Sequence, residues 1–356
     1  MSKVCNPLGT DGFEFVEYTA PTKVGITKLK KLFRQMGFAE IAKHKHKMVW
    51  LYRQGDINFI VNGELASQAS SFALQHGASV NAMAFRVKEV NKALDYAIKH
   101  GATRCENNVG LMELNIPAIE GIGGALLYFV DRYGERDIYE VDFEYYPDAQ
   151  QRLAAIDTGL LTIDHLTHNV AIGHMDKWSD FYEKIANFQE IKYFDIKGKL
   201  TGLKSRAMTS PCGKIRIPIN ESSDEHSQIA EYLKQYNGEG IQHIALSTND
   251  ILSSVKKLRQ LGVIFMDTPD TYYELVNKRI DCHDENIALL QHDKILIDSD
   301  EHGILLQVFT GTVIGPVFFE IIQRKGNQGF GEGNFQALFE SIELDQIRRG
   351  VLSEKS

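Results

Sequence analysis

The sequence predicts an α+β fold made of four repeated β-α-β-type modules, two in each half of the chain. Three observations predict it: a strand-like run followed by an amphipathic helix recurs four times, further alternating runs follow the helices, and the periodicity breaks once near the middle. Such a repeat is one supersecondary unit used several times, so it decides the architecture before any single element does.

The first module opens with GFEFVEYTA and continues into ITKLKKLFRQMG, whose Ile26, Leu29, Leu32, Phe33 and Met36 share a helical face that Gly37 ends. The second is VNAMAFRV with KEVNKALDYAIKHG, where Val90, Leu94, Ala97 and Ile98 repeat at helical spacing before Gly101. In the third, TIDHLTHNVA leads into DKWSDFYEKIANF, with Trp178, Phe181, Tyr182 and Ile185 at i, i+3, i+4 and i+7. The fourth is IQHIALST with NDILSSVKKLRQLG. Ile251, Val255, Leu258 and Leu261 line its face, Asn249 or Asp250 caps its start, and Gly262 stops it. MVWLYRQG, INFIVNG, GKIRIPIN and ILLQVFTG alternate as strands. The periodicity fails near residues 146–158, which divides the chain into an N-terminal unit (1–150) and a C-terminal unit (151–356). The acidic stretch at 281–303, with His283, His292 and His302, reads as a solvated loop and a short strand rather than a second metal site.

Bulk properties narrow the function. A chain of 356 residues suits two domains of roughly 100–200 residues each. No run approaches the ~20 apolar residues that span a bilayer, and MSKVCNPLGTDGFEF has no apolar core after Lys3, so no membrane partner and a cytoplasmic location are expected. A net charge of -8, from 39 basic and 47 acidic side chains, argues against a nucleic-acid partner. Cys5, Cys105, Cys212 and Cys282 lie far apart without a CxxC, so a disulfide framework or cysteine zinc site is not expected. A metal site would be built from His, Asp and Glu.

Four modules in two pairs resemble the vicinal-oxygen-chelate architecture. That resemblance implies four βαβββ-type modules in two tandem barrel-like domains, each a cupped sheet with helices outside and a metal inside. It does not fix the function.

Strand alternation then sorts the candidate ligands. In TIDHLTHNV, His165 shares a face with Ile163, Thr167 and Asn169, while His168 faces the other way. His243 stands alone in GIQHIAL, and Glu320 lies in the apolar run PVFFEIIQR, where a carboxylate is costly unless paired or metal-bound. A lone strand histidine is ordinarily structural, and Arg324 is an alternative partner for Glu320. The repeat favours ligation. Aligning the halves puts Phe15 opposite His165, Ala82 opposite His243 and Tyr128 opposite Glu320, so all three donors are missing from the first half together. One metal site in the second half accounts for this. Two imidazoles and a carboxylate make the facial triad of non-haem Fe(II) oxygenases. Zinc suits the same donors, though HExxH is absent.

IDHLTHNV, SQIAEYL, GEGIQHIAL, PDTYYE, LLQVFT, GPVFFEIIQRKG and GFGEGNFQALFESIE, in that order, resemble the bacterial 4-hydroxyphenylpyruvate dioxygenases, from near residue 12 to the end of the chain. The resemblance implies one Fe(2+) per subunit on His165, His243 and Glu320. It also implies conversion of 4-hydroxyphenylpyruvate and O2 to homogentisate and CO2, and a homodimer or homotetramer. Its substrate pocket maps to Ser205, Asn220, Gln228, Gln242, Gln307, Phe309, Phe318, Asn334, Phe335 and Phe339, with the amides of Gln228, Gln307 and Asn220 in catalytic roles on the phenol. Gln242 should point to the strand face opposite His243. Phe335 and Phe339 also read as an ordinary core stripe with Leu338 and Ile342. The glycines of KGNQGFGEGNF suit a hinge for a C-terminal lid helix. The rival readings are a 4-hydroxymandelate synthase, an extradiol ring-cleaving dioxygenase and a non-catalytic binding protein of the same fold.

Overall fold

A computed structural model describes residues 5–106, 113–134, 137–197, 202–222, 227–281 and 283–338. Phe339 and Cys282 fall outside them. The first module is β1 (Phe13–Thr19), α1 (Lys23–Gln35), β2 (Ala39–His44), β3 (Val49–Gln54) and β4 (Ile57–Asn62). The helix α2 (Gln68–His76) leads to the second: β5 (Ser79–Arg86), α3 (Val90–Lys99), β6 (Arg104–Cys105), β7 (Ala118–Glu120) and β8 (Leu126–Val130). The connection carries α4 (Tyr139–Asp142), β9 (Phe143–Tyr145) and α5 (Ala149–Ala155). The third module is β10 (Leu160–Val170), α6 (Met175–Ala186), β11 (Gln189–Lys197), β12 (Gly202–Thr209) and β13 (Arg216–Ser222). After α7 (Gln228–Tyr236) the fourth runs through β14 (Gly240–Thr248), α8 (Ile251–Gln260), α9 (Asp270–Arg279), α10 (Ile287–Asp293), β15 (Leu296–Asp300), β16 (Gly303–Phe309) and β17 (Phe318–Lys325).

The two halves make two sheets of the same plan. The first has the order β6-β7-β8-β5-β1-β4-β3-β2-β9, and the second β11-β12-β13-β10-β14-β17-β16-β15. In each, the opening strands of the two modules pair antiparallel (β1 with β5, β10 with β14). Each module also closes on itself, with its opening strand parallel to its last (β1 with β4, β5 with β8, β10 with β13, β14 with β17). Even the linking helices start alike: Ser67 caps α2 through the Ser70 amide, and Ser227 caps α7 through the Ala230 amide.

Opposite the cups, the sheets bury one apolar core with their helices. Tyr18, Phe33 and Phe59 of the first half reach Phe319 of the second, with ring centroids 5.9–6.5 Å apart. His168 lies on this core face, fully buried, its Nε2 2.7 Å from the Tyr182 hydroxyl of α6. The stretch at 281–303 departs from the loop expected: Asn286 caps a short helix, α10, through the Ala288 and Leu289 amides, with Leu290 buried beneath it. Acidic composition hid that local cap.

Candidate metal centre

Residues paired across neighbouring strands project to the same face, so the register places each side chain. His165 pairs with Ala245, Ala245 with Glu320, and Glu320 with Phe309, forming one row across β10, β14, β17 and β16. The adjacent row is Thr167, His243 and Phe318. Only a methyl group stands between His165 and Glu320, so the two longer side chains lean together over Ala245. Their Nε2 and Oε2 atoms lie 3.2 Å apart. His243 Nε2 is 3.4 Å from the same Oε2 and 3.4 Å from His165 Nε2. One donor atom from each of the three residues lies within 4.8 Å of the others.

The remaining ring nitrogens fix the orientation. Asp164 Oδ1 accepts from His165 Nδ1–H at 2.8 Å, and Gln242 Oε1 accepts from His243 Nδ1–H at 3.2 Å. Each Nε2 is thereby turned into the cup toward the carboxylate, and the Thr167 hydroxyl also lies 2.9 Å from His243 Nε2. Glu320 is 2% exposed and its Oε1 has no hydrogen-bond partner among the described residues. Two lone pairs facing a buried carboxylate with an orphaned oxygen repel unless a cation or protons stand between them, so the donor set fits a divalent ion. Two imidazoles and one carboxylate fit Fe(II) with open positions for exchangeable ligands.

Electrostatics support the same arrangement. Burial pushes the Asp164 carboxyl up, but hydrogen bonds from Arg324 and His165 outweigh it and hold the group well below the usual carboxylate range. Arg324 grips both Asp164 oxygens at 2.8 Å, and Arg216 adds a contact at 3.4 Å. Without an ion, burial lowers His165, but the carboxylates of Glu320 and Asp164 prevail and raise it. Burial prevails at His243 and lowers it. In Glu320, burial raises the group, but the two histidines win and lower it. His168, on the core face, is pushed down to about 3 by burial and stays neutral.

Two expectations are corrected here. Arg324 does not pair with Glu320; its guanidinium binds Asp164. Gln242 does not point away from His243. The β10–β14 register slips between Thr167–His243 and His168–Ile241, which leaves Gln242 bulged and free to reach its neighbour. A second slip, between Ile163 and His165, does the same for Asp164.

The other predicted residues are placed as follows. Phe318 stacks on the His243 ring (4.8 Å, 17°), and Phe309 meets Phe318 edge-on at 6.0 Å. Gln307 is 1% exposed with Oε1 unpartnered. Ser205 pairs with Asn220, and Asn220 with Asn169, making a polar row on the cup face. Asn334 accepts from the Tyr272 hydroxyl at 2.6 Å while its Nδ2 is unpartnered. Phe335 is exposed on a helical segment at 332–338, and Gln228 is exposed at the start of α7. Phe339 lies outside the described residues.

Sequence reasoning missed Asp164, Asn169 and Phe330. Phe330 packs edge-on against His165 at 5.2 Å, and Arg324 lies 5.4 Å over its ring. Asn169 is buried with both amide atoms unpartnered, and its shared face with His165 was the available signal. In the glycine-rich stretch expected to act as a hinge, a Cβ on Gly331 (φ +79°) would collide with the Gln307 amide, so close packing also requires glycine there. In the first half, Phe15, Ala84 and Tyr128 form the row matching His165, Ala245 and Glu320, and Ala82 takes the place of His243, as the repeat predicts.

Comparison with known proteins agrees with this picture. Residues 4–144 match the family model described as hydroxyphenylpyruvate dioxygenase, N-terminal, and residues 162–288 match the glyoxalase/bleomycin resistance protein/dioxygenase superfamily. The chain is 64% identical to hemolysin VllY of Vibrio vulnificus (strain CMCP6), over 99% of each chain. It is 61% identical to a 4-hydroxyphenylpyruvate dioxygenase of Pseudomonas aeruginosa, over 98% of this chain and 97% of the relative. Among solved structures, a mutant 4-hydroxymandelate synthase from Streptomyces coelicolor superposes with a TM-score of 0.78 at 25% identity, covering 95% of this chain and 99% of that one.

Proposed function

The chain belongs to the 4-hydroxyphenylpyruvate dioxygenase family, and we propose that His165, His243 and Glu320 hold its Fe(2+), one per subunit. The reaction converts 4-hydroxyphenylpyruvate and O2 to homogentisate and CO2 in tyrosine and phenylalanine breakdown. Iron(II), when bound, supplies the redox chemistry and a template for the 2-oxo acid and dioxygen.

The protein's own residues do the rest. Asp164 and Gln242 hold the two imidazoles by their Nδ1–H groups, so that both Nε2 atoms face the ion. Phe318 and Phe309 flank the ring of the substrate, while Gln307, Asn220 and Gln228 orient its phenol. Ser205 and Asn334 complete the polar wall, and Phe335 is a further aromatic member. Phe330 and the helical segment after it exclude water from the cup as a lid. In this reading residues 1–150 form a metal-free unit and 151–356 the catalytic one. The enzyme works in the cytoplasm as a homodimer or homotetramer; among the described residues no helix is long and apolar enough to cross a membrane.

The observation that carries the reading is the convergence of two Nε2 atoms and one carboxylate oxygen, with both Nδ1 atoms already engaged. The structural likeness to 4-hydroxymandelate synthase leaves one rival product from the same substrate. Chromatography of an aerobic reaction of the Fe(II)-loaded protein with 4-hydroxyphenylpyruvate separates them. Homogentisate is expected, and 4-hydroxymandelate would refute the assignment.

A further inference from the structure

The first half keeps the cup but not the donors. On the cup face of its sheet lies a cavity of about 600 Å³, within the size range of small-molecule sites. One wall is apolar, formed by Phe15, Ile60, Tyr128 and Phe143, with the Phe15 and Tyr128 rings 5.6 Å apart. Glu17 lies in the wall of this cavity, only 8% exposed. Its Oε1 accepts from the Asn81 and Asn62 amides at 2.6 and 2.9 Å. Both of these bonds fall on Oε1, and no side chain among the described residues donates to the other oxygen.

The charges around the cavity do not supply one. Lys47 is engaged at 2.6 Å by Glu113. His44 Nδ1 accepts from the backbone amides of His46 and Lys47, and burial lowers its affinity for a proton. Among the described residues the lining carries the carboxylates of Glu17, Glu64, Glu106, Glu113 and Asp142 against the ammonium of Lys47. No three metal-type donors converge here among the described residues, so an organic cation fits better than an ion.

We propose that the N-terminal cup is a second binding site, for a small organic cation with an aromatic or apolar body, its ammonium on Glu17 and its body against Phe15 and Tyr128. Burial raises the Glu17 carboxyl against the pull of the Asn81 and Asn62 amides; an ammonium on its unbonded oxygen would hold it ionised through a charge-assisted bond, and aromatic faces suit both the body and the charge. The site is separate from the metal-bearing cup and does not need the 2-oxo acid chemistry of the other half.

The test uses a matched pair of probes, phenethylamine and 3-phenylpropionate, which share a body and differ in charge. In calorimetry on the full metal-loaded chain, phenethylamine should bind saturably at one site and 3-phenylpropionate should not. Glu17→Gln, which keeps the amide contacts, should weaken phenethylamine about tenfold or more, and His165→Ala should leave it unchanged. Crystals of the wild-type protein with phenethylamine should show it between Glu17 and Phe15, which decides the matter even if Glu17→Gln folds poorly. Absence of saturable binding, equal binding of the anion, an unaffected Glu17→Gln protein, or density beside His243 instead would overturn the proposal.

Discussion

Replacing Asp164 by Asn tests how the metal site is held together. The carboxylate takes the His165 Nδ1 proton on one oxygen and grips Arg324 with both. It is 7% exposed, and the Arg324 side chain only 14%. Asn preserves the shape but removes the charge. It can present only one acceptor oxygen, so half of the Arg324 fork loses its partner in either amide orientation, and in one of them His165 does too. Breaking a buried ion pair from one side costs about 3–5 kcal/mol, because the remaining charge stays buried. Here backbone carbonyls of Asn327 and Gly329 still receive Arg324, at 3.3 and 2.6 Å, so the low end, about 3 kcal/mol, is expected. Loss of the group orienting a metal-bound histidine typically weakens metal binding about 10–100-fold. Urea denaturation of the metal-free protein reads the first quantity, and chelator competition for Fe(II) under anaerobic conditions reads the second. Metal affinity within about twofold of wild type would refute the role given to Asp164, even if stability fell.

Four further outcomes are expected. His165→Ala, His243→Ala and Glu320→Ala should each abolish Fe(II)-dependent turnover, measured as oxygen uptake, and retained turnover in any one removes that ligand. His168→Ala should retain iron by metal analysis, since the ring faces Tyr182, but lose about 2–4 kcal/mol from the cavity and the abandoned hydroxyl. The same histidine sets a pH dependence: its pKa is about 3 when folded and near 6.5 when unfolded, so between these values the unfolded chain binds the extra proton and stability falls as pH falls. Wild type should therefore lose about 1.4 kcal/mol more per pH unit than His168→Ala across that window, and parallel pH profiles would contradict the buried neutral ring. Ala245→Leu should wedge His165 from Glu320 and abolish iron binding while the protein remains folded by circular dichroism; normal iron content would show that the row does not need its small residue.

The fold and the triad were legible because both are periodic. Helical spacing found the recurring helices, and comparing the halves put His165, His243 and Glu320 at positions where the other copy has Phe15, Ala82 and Tyr128. The register reproduces that correspondence. What was illegible sits where the period breaks. Strict alternation places Asp164 and Gln242 on the face opposite their neighbouring histidines, but the strand register slips beside each residue and both turn toward the imidazoles. A bulge leaves no clear mark in composition. Arg324 looked like a partner for Glu320 because both lie on one strand, whereas its contact with Asp164 crosses 160 positions of sequence. The glycines near residue 330 suggested a hinge, and sequence alone did not show that Gly331 also meets a need for close approach, to the Gln307 amide.

The most direct test is anomalous diffraction from crystals of the Fe(II)-loaded protein, measured on both sides of the iron absorption edge. One peak per chain should appear, at bonding distance from the Nε2 atoms of His165 and His243 and from the Glu320 carboxylate, with Asp164 and Gln242 still on the Nδ1 sides. An iron peak elsewhere, or none there in a chain that still makes homogentisate, would contradict the account.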